Sequence, residues 1–173
     1  MDANSSDNAV DFARRGFMTL QRSRTPALPW ASLDSITANC TGCGDCIAAC
    51  PERIIVQTAA GVPTVTFEST GCTFCGACAD ACTHGVFSAD RQEPWLLQAA
   101  VSDRCMEIAG VSCRLCDDAC DDLAIRFRPQ SGGRTSVEID AQSCTGCGAC
   151  ISRCPVGALS VAPTERGGPS GAR

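Results

Sequence analysis

"CTGCGDCIAACP", residues 40–51, places Cys40, Cys43, Cys46 and Cys50 within eleven positions and ends on Pro51. Nearly the same phrase, "CTGCGACISRCP", returns at 144–155 with Cys144, Cys147, Cys150 and Cys154. Between them lie Cys72, Cys75, Cys78 and Cys82, and then Cys113, Cys116 and Cys120 with Cys105 upstream. All 16 cysteines of this 173-residue chain therefore fall into four groups.

The stretches between the groups repeat as well. "PERIIVQTAAGVPTVTFESTG" joins the first group to the second, and "DDLAIRFRPQSGGRTSVEIDAQS" joins the third to the fourth. In the first, Ile54–Gln57 and Pro63–Glu68 flank a turn at Ala60 and Gly61; in the second, Ala124–Arg128 and Ser136–Asp140 flank Ser131, Gly132 and Gly133. Branched residues on either side of a glycine turn predict strand, turn, strand in both. "IAA" after Cys46, "ADA" after Cys78 and "ISR" after Cys150 predict short helices. Pro51 and Pro155 end two of them, because proline cannot continue the hydrogen-bond ladder.

The closing segments "THGVFSAD" and "PVGALSVA" match too, so the economical reading is one unit written twice. The boundary falls near "RQEPWLLQAA", which gives units at 29–92 and 93–162. A polar segment at 1–28 and a Gly/Pro/Ser tail at 163–173 are expected to be flexible. With aromatic residues at 5% of the chain, each unit has a thin core, and units of roughly 60 residues need a staple such as disulfides or metal.

A four-iron cubane has four corners, each taking one thiolate. The spacing C-x2-C-x2-C wraps three corners with one tight loop. In the run C-x2-C-x2-C-x3-C-P of bacterial two-cluster ferredoxins, the last cysteine serves the other cluster. On that logic Cys40, Cys43, Cys46 and Cys82 hold one cluster, and Cys72, Cys75, Cys78 and Cys50 hold its partner. The third group departs from the pattern: seven residues, "MEIAGVS", separate Cys105 from Cys113. A widened loop is expected there, with Cys105, Cys113, Cys116 and Cys154 on a third cluster and Cys144, Cys147, Cys150 and Cys120 on a fourth. Four [4Fe-4S] clusters then use every cysteine. Gly42, Gly44, Gly76, Gly146 and Gly148 let the loops bend tightly and aim N–H groups at sulfur. The expected fold class is α+β: two tandem 2[4Fe-4S] ferredoxin-like units, each a small β-hairpin and short helices around its clusters.

Other readings compete. Structural zinc favours two separated ligand pairs, often with histidine, and this chain has one histidine, His84. A disulfide framework suits a secreted chain, but C-x2-C-x2-C crowds sulfurs in a way that suits a cluster better. The offset third group leaves room for a labile or three-iron site. His84 reads as a surface residue, since each corner already has a cysteine. Asp117, Asp118, Asp121 and Asp122 crowd Cys116 and Cys120, either as a solvated helix face or as negative charge that lowers a cluster's potential.

A formal charge of −5 argues against nucleic acid as a partner, because phosphate binding needs a basic surface. Oxidised cubanes with four thiolates carry about −2 each, so four add about −8 and make the 14 basic residues, all arginine, the only cationic docking points. With no tyrosine, one histidine, no phosphate-cradling glycine loop and no nucleophile beside a base, a catalytic enzyme is not expected. No uncharged apolar stretch reaches the roughly 18 residues of a membrane span. Arg14 and Arg15, with Gly16, Phe17 and Met18, look like a twin-arginine export signal, but no apolar run follows, so a cytoplasmic location is expected. As a retained patch these arginines would touch a partner or remain solvated.

"RRGFM" at 14–18, Pro29 and Trp30, the four cysteine groups, "EPWLLQ" at 93–98, "DRCMEIAGVSCRLCDDAC" at 103–120 and "AIRFRP" at 124–129 together resemble NapF, the family of ferredoxin-type accessory proteins of periplasmic nitrate reductase systems. The offset third group is the most specific of these features, since an ordinary two-cluster ferredoxin lacks it. The resemblance implies a cytoplasmic protein that binds the precursor of the nitrate reductase catalytic subunit. It also implies a part in that subunit's maturation, by cluster or redox loading, before export. The alternative is an electron-transfer subunit of an oxidoreductase relay. No docking residue carries over.

Overall fold

The computed structural model describes residues 28–90 and 93–163. Arg14, Arg15 and the two terminal segments lie outside the described residues. In chain order the elements are α1 (Leu33–Asn39), α2 (Asp45–Ala49), β1 (Ile55–Gln57), β2 (Pro63–Val65), α3 (Ala77–Asp80), β3 (Leu97–Val101), α4 (Leu115–Asp118), β4 (Ile125–Pro129), β5 (Thr135–Ile139), α5 (Ala149–Arg153) and β6 (Leu159–Pro163).

The two hairpins form where branched residues flank the glycine turns. β1 pairs antiparallel with β2 in the register Val56↔Thr64, and β4 with β5 in the register Phe127↔Val137. The helices α2, α3 and α5 each contain the third cysteine of a run and start from a glycine in the left-handed region, at Gly44, Gly76 and Gly148. At four or five residues they are too short to persist as isolated helices. Their ends are therefore held from outside, by the cysteines that flank them.

A third two-stranded sheet, β3 with β6 in the register Ala99↔Val161, was not foreseen from the sequence. It closes the second repeat by pairing the chain that enters with the chain that leaves. The first repeat does the same with a single bridge, Ala31↔Phe87. Phe87 and Leu159 occupy the same place, five residues after Cys82 and Cys154. α1 precedes the first cysteine run and is fixed by a reciprocal cap: Ser32 Oγ accepts the Ser35 N–H and Ser35 Oγ accepts the Ser32 N–H. Its buried residue, Ile36, faces the core.

The two repeats share packing. The core around Ile36, Ile54, Val65 and Phe67 also takes in Leu97 and Val161 from the second half. A second core holds Ala99, Ala124, Ile125, Val137 and Leu159. Against the first core runs a line of edge-to-face rings: Trp30 on Phe74 at 6.4 Å, Phe74 on Trp95 at 5.5 Å, and Trp95 on Phe67 at 6.0 Å. Both tryptophans of the chain sit in this line. Trp95 Nε1 donates to the Thr145 carbonyl at 3.0 Å, and the Cys72 N–H donates to the Cys147 carbonyl at 2.8 Å.

This junction leaves no room at Gly148, where a Cβ would enter the Phe67 ring, whereas a Cβ at Gly44, the equivalent position, would meet nothing within 4 Å. Both glycines have positive φ, at +81° and +86°. Gly44→Ala should therefore cost about 1–2 kcal/mol from backbone strain alone. Gly148→Ala should cost about 1–3 kcal/mol more, because Phe67 must move. Thermal midpoints of the two variants in the full chain test the ordering; equal midpoints would mean that the Phe67 ring is not pinned.

Candidate metal centres

The residues after each run explain how a cysteine is delivered to a neighbouring loop. Arg53, Gly85, Leu123 and Gly157 each lie three positions past the last cysteine of a run, and all four have positive φ, between 50° and 67°. That turn swings the next N–H back toward sulfur. Ala124 N–H donates to Cys120 Sγ at 3.3 Å and Ala158 N–H to Cys154 Sγ at 3.1 Å. Arginine and leucine in this region carry strain of about 1–3 kcal/mol each, which persists only where the surroundings enforce it.

The sulfurs meet in fours. Cys40, Cys43, Cys46 and Cys82 line a cavity with Leu28, Ile47, Val86 and Phe87. Cys50, Cys72, Cys75 and Cys78 line another with Trp30, Ile54 and Phe74. Cys105, Cys113, Cys116 and Cys154 line a third with Val101, Met106 and Val137. The fourth group is centred on buried Cys150, whose thiol feels Cys147, Cys144 and, across the repeat, Cys116 of the neighbouring group and Cys120. In every group one cysteine arrives from the other run of its repeat. His84 is exposed at the rim of the first cavity.

These groups are short of positive charge. Burial, and then the neighbouring thiols, push Cys46 up to about 11 and Cys150 up to about 12. Burial likewise raises Cys78 and Cys116 to about 11, and Cys72 to about 12 against the opposing hydrogen bond from the Phe74 N–H. Four thiolates around one apolar space are tenable only if a cation sits among them. Among the described residues no three His, Cys, Asp or Glu side chains close on a point as a single metal ion requires. Zinc needs all four sulfurs about 2.3 Å from one ion. Four thiols that gather without closing on one point fit a core of several irons. All 16 thiols are free, so no disulfide competes for them. The donor set thus fits an iron–sulfur cluster in each cavity, and backbone N–H groups already point at Cys72 and Cys144 from Phe74 and Ala99, both at 3.4 Å.

The widened third loop is a compact turn. Ala109 N–H reaches the Cys105 carbonyl at 3.0 Å and Val111 N–H reaches Met106 at 2.8 Å. Inside it, buried Glu107 accepts the Cys113 N–H at 2.7 Å. Sequence reasoning missed this residue, although a lone carboxylate in an otherwise uncharged seven-residue loop was a signal. α4 lacks a glycine start; Arg114 takes that place at φ −128° and lays its guanidinium over Phe127 at 4.7 Å. Asp118, Asp121 and Asp122 are exposed and Asp117 is half-buried, and Asp122 accepts a hydrogen bond from Thr145 Oγ1 at 2.8 Å.

Glu107→Ala removes the acceptor and strands a half-buried N–H, at a cost of about 1–3 kcal/mol. Glu107→Gln keeps an acceptor oxygen and should recover most of that loss. Thermal unfolding of both variants is the check, and equal behaviour would show that the loop does not depend on this bond.

The model of the 4Fe-4S dicluster domain matches residues 39–86 and 111–158. The chain is 39% identical to the ferredoxin-type protein NapF of Escherichia coli (strain K12) over 156 residues, 88% of this chain and 95% of that protein. It is 42% identical to the ferredoxin-type protein NapF of Haemophilus influenzae over 134 residues, 77% of this chain and 76% of that one. The methylamine utilization ferredoxin-type protein MauM of Methylorubrum extorquens is 31% identical over 154 residues, 78% of this chain and 70% of that protein. Two matched dicluster domains, four groups of four thiols and similarity along most of its length place this chain in the NapF family of ferredoxin-type 4Fe-4S proteins.

Proposed function

We propose that the chain carries four [4Fe-4S] clusters and works in the cytoplasm as an accessory protein of a periplasmic nitrate reductase, binding the precursor of its catalytic subunit and assisting maturation by cluster or redox loading before export. The observation that carries the reading is the meeting of the thiols in fours, each four spanning both runs of a repeat. Cys40, Cys43, Cys46 and Cys82 would hold the first cluster, and Cys50, Cys72, Cys75 and Cys78 the second. Cys105, Cys113, Cys116 and Cys154 would hold the third, and Cys120, Cys144, Cys147 and Cys150 the fourth. When bound, each cluster supplies a one-electron store. The chain supplies sixteen thiolates, N–H donors to their sulfurs, and apolar walls that exclude water.

The choice of partner rests on the NapF kinship and on the absence, among the described residues, of any constellation that would perform chemistry on a substrate. A second reading, an electron-transfer subunit of a relay, is favoured by one contact. The Cys72 N–H bonded to the Cys147 carbonyl sets the second thiol group directly against the fourth.

Anaerobically prepared protein should contain about 16 iron and about 16 acid-labile sulfides per chain. Chelation should unfold it, since these small cores lack the apolar area to stand alone. Colourless or zinc-loaded material, or unchanged circular dichroism after chelation, would count against the cluster reading. Affinity capture should recover the precursor form of the catalytic subunit in preference to the mature form. Recovery of neither, with mature reductase dependent on this chain for its electrons, would favour the relay.

A further inference from the structure

Among the described residues, Trp30 Nε1 is a buried side-chain nitrogen with no hydrogen-bond partner. Stranding such a donor costs about 1–3 kcal/mol, so native structures keep one only for a reason. Trp95, in the same line of rings, satisfies its own Nε1 through Thr145. Trp30 is also strained: its φ is +59°, a region that disfavours residues with side chains. The chain pins it there from both sides. Its N–H donates to the Pro94 carbonyl, its carbonyl accepts the Ser88 N–H at 2.7 Å, and the next residue forms the Ala31↔Phe87 bridge. This double restraint keeps the indole in the wall of the cavity lined by Cys50, Cys72, Cys75 and Cys78. The carboxylate that shares this wall, Glu52, already accepts from Thr70 Oγ1 at 3.4 Å. The other side chains lining the cavity are the four cysteines, Thr73 and apolar groups.

The repeat shows what the indole replaces. Phe87 and Leu159 are equivalent, and their partners across the pairing are Ala31 and Val101, so Pro29 stands where the second repeat has Ala99. Ala99 N–H donates to Cys144 Sγ at 3.4 Å. Pro29 has no N–H to give the equivalent Cys72, and the residue after it places its indole in the wall of the cavity that those sulfurs line.

We propose that Trp30 Nε1 donates a hydrogen bond to a sulfur of the cluster held by Cys50, Cys72, Cys75 and Cys78, and so raises that cluster's reduction potential. The inference rests on the cluster reading above. One-electron reduction adds a negative charge to the cluster, and a donor aimed at its sulfur stabilises the more charged state preferentially. Trp30 is thus a positioning and tuning residue that acts on the cluster without ligating it.

The test is Trp30→Phe in the full, anaerobically prepared chain, followed by a paramagnetic-resonance redox titration. Phenylalanine is sterically compatible, since Phe74 already occupies the same backbone region at φ 53°. One of the four couples should shift about tenfold toward the oxidised form, which is about 59 mV downward for one electron, while the others stay in place. In the wild type, pulsed nuclear double resonance should show an exchangeable proton coupled to one reduced cluster and lost in the variant. Should the variant lose iron, replacement of Trp30 by benzothienylalanine, which keeps the ring shape and exchanges N–H for sulfur, gives the same reading. Unchanged potentials at full iron content in either substitution would overturn the role of Trp30 and leave the clusters standing. Wild-type protein without iron would overturn both.

Discussion

Sixteen thiols drawn together in four groups, three of them around apolar spaces, are the constraint on which this structure depends. Burial is the larger part of the difficulty and mutual proximity the smaller, as at Cys150, pushed up to about 12. Everything around these spaces is too slight to stand alone: helices of four to seven residues, and a first hairpin with three paired positions. On the proposed ligation, folding and loading would be one event, because a cationic core would make the sulfur arrangement tenable and the sulfur arrangement would hold the short elements in place. The crossed fourth cysteine matters most. A thiol sent from one run to the other's cavity ties the two ends of each repeat together across a hairpin that packing alone would hold weakly.

The repeats are joined by aromatic packing. Trp30, Phe74, Trp95 and Phe67 form a continuous line of edge contacts from the entry strand of the first half to that of the second. An edge-to-face pair contributes about 0.5–1.5 kcal/mol beyond its buried area. In a chain with few aromatic residues, Phe67 and Phe74 of the first repeat close on Trp95 of the second and help fix the halves against each other. The close approach of Gly148 to Phe67 and of Gly71 to Ala149 serves the same end.

The thiol groups were legible in the sequence because spacing by threes is a statement about one tight loop, and a loop is local. The hairpins and the helices after the third cysteines were legible for the same reason. The β3–β6 sheet was not, since Leu97 and Pro163 meet only after the whole second repeat has folded. Nor was the strain: Phe74, Arg53 and Leu123 occupy positive φ where a residue-by-residue reading expects glycine, because the sulfur geometry outweighs the local preference. Trp30 and Glu107 escaped notice because what distinguishes them is whether one buried polar atom has a partner, and that is a property of the assembled cavity.

The packing also orders the four groups. The second and fourth touch through Cys72 and Cys147, while the first and third lie beyond them, each paired with its neighbour by shared runs. On the proposed ligation this gives a single path, first to second to fourth to third. The two halves differ in character. Cys43 and Cys75 are exposed in the first half, whereas their counterparts Cys113 and Cys147 are half-buried in the second. On the cluster reading, Asp117, Asp118, Asp121 and Asp122 beside the third and fourth groups would disfavour an added electron there, while the proposed Trp30 donor would favour one at the second. Both effects push charge the same way, from the second repeat toward the first. A protein arranged like this would present its most reducible cluster beside the half with the most accessible sulfur, and a partner that takes electrons or iron from it has reason to dock there.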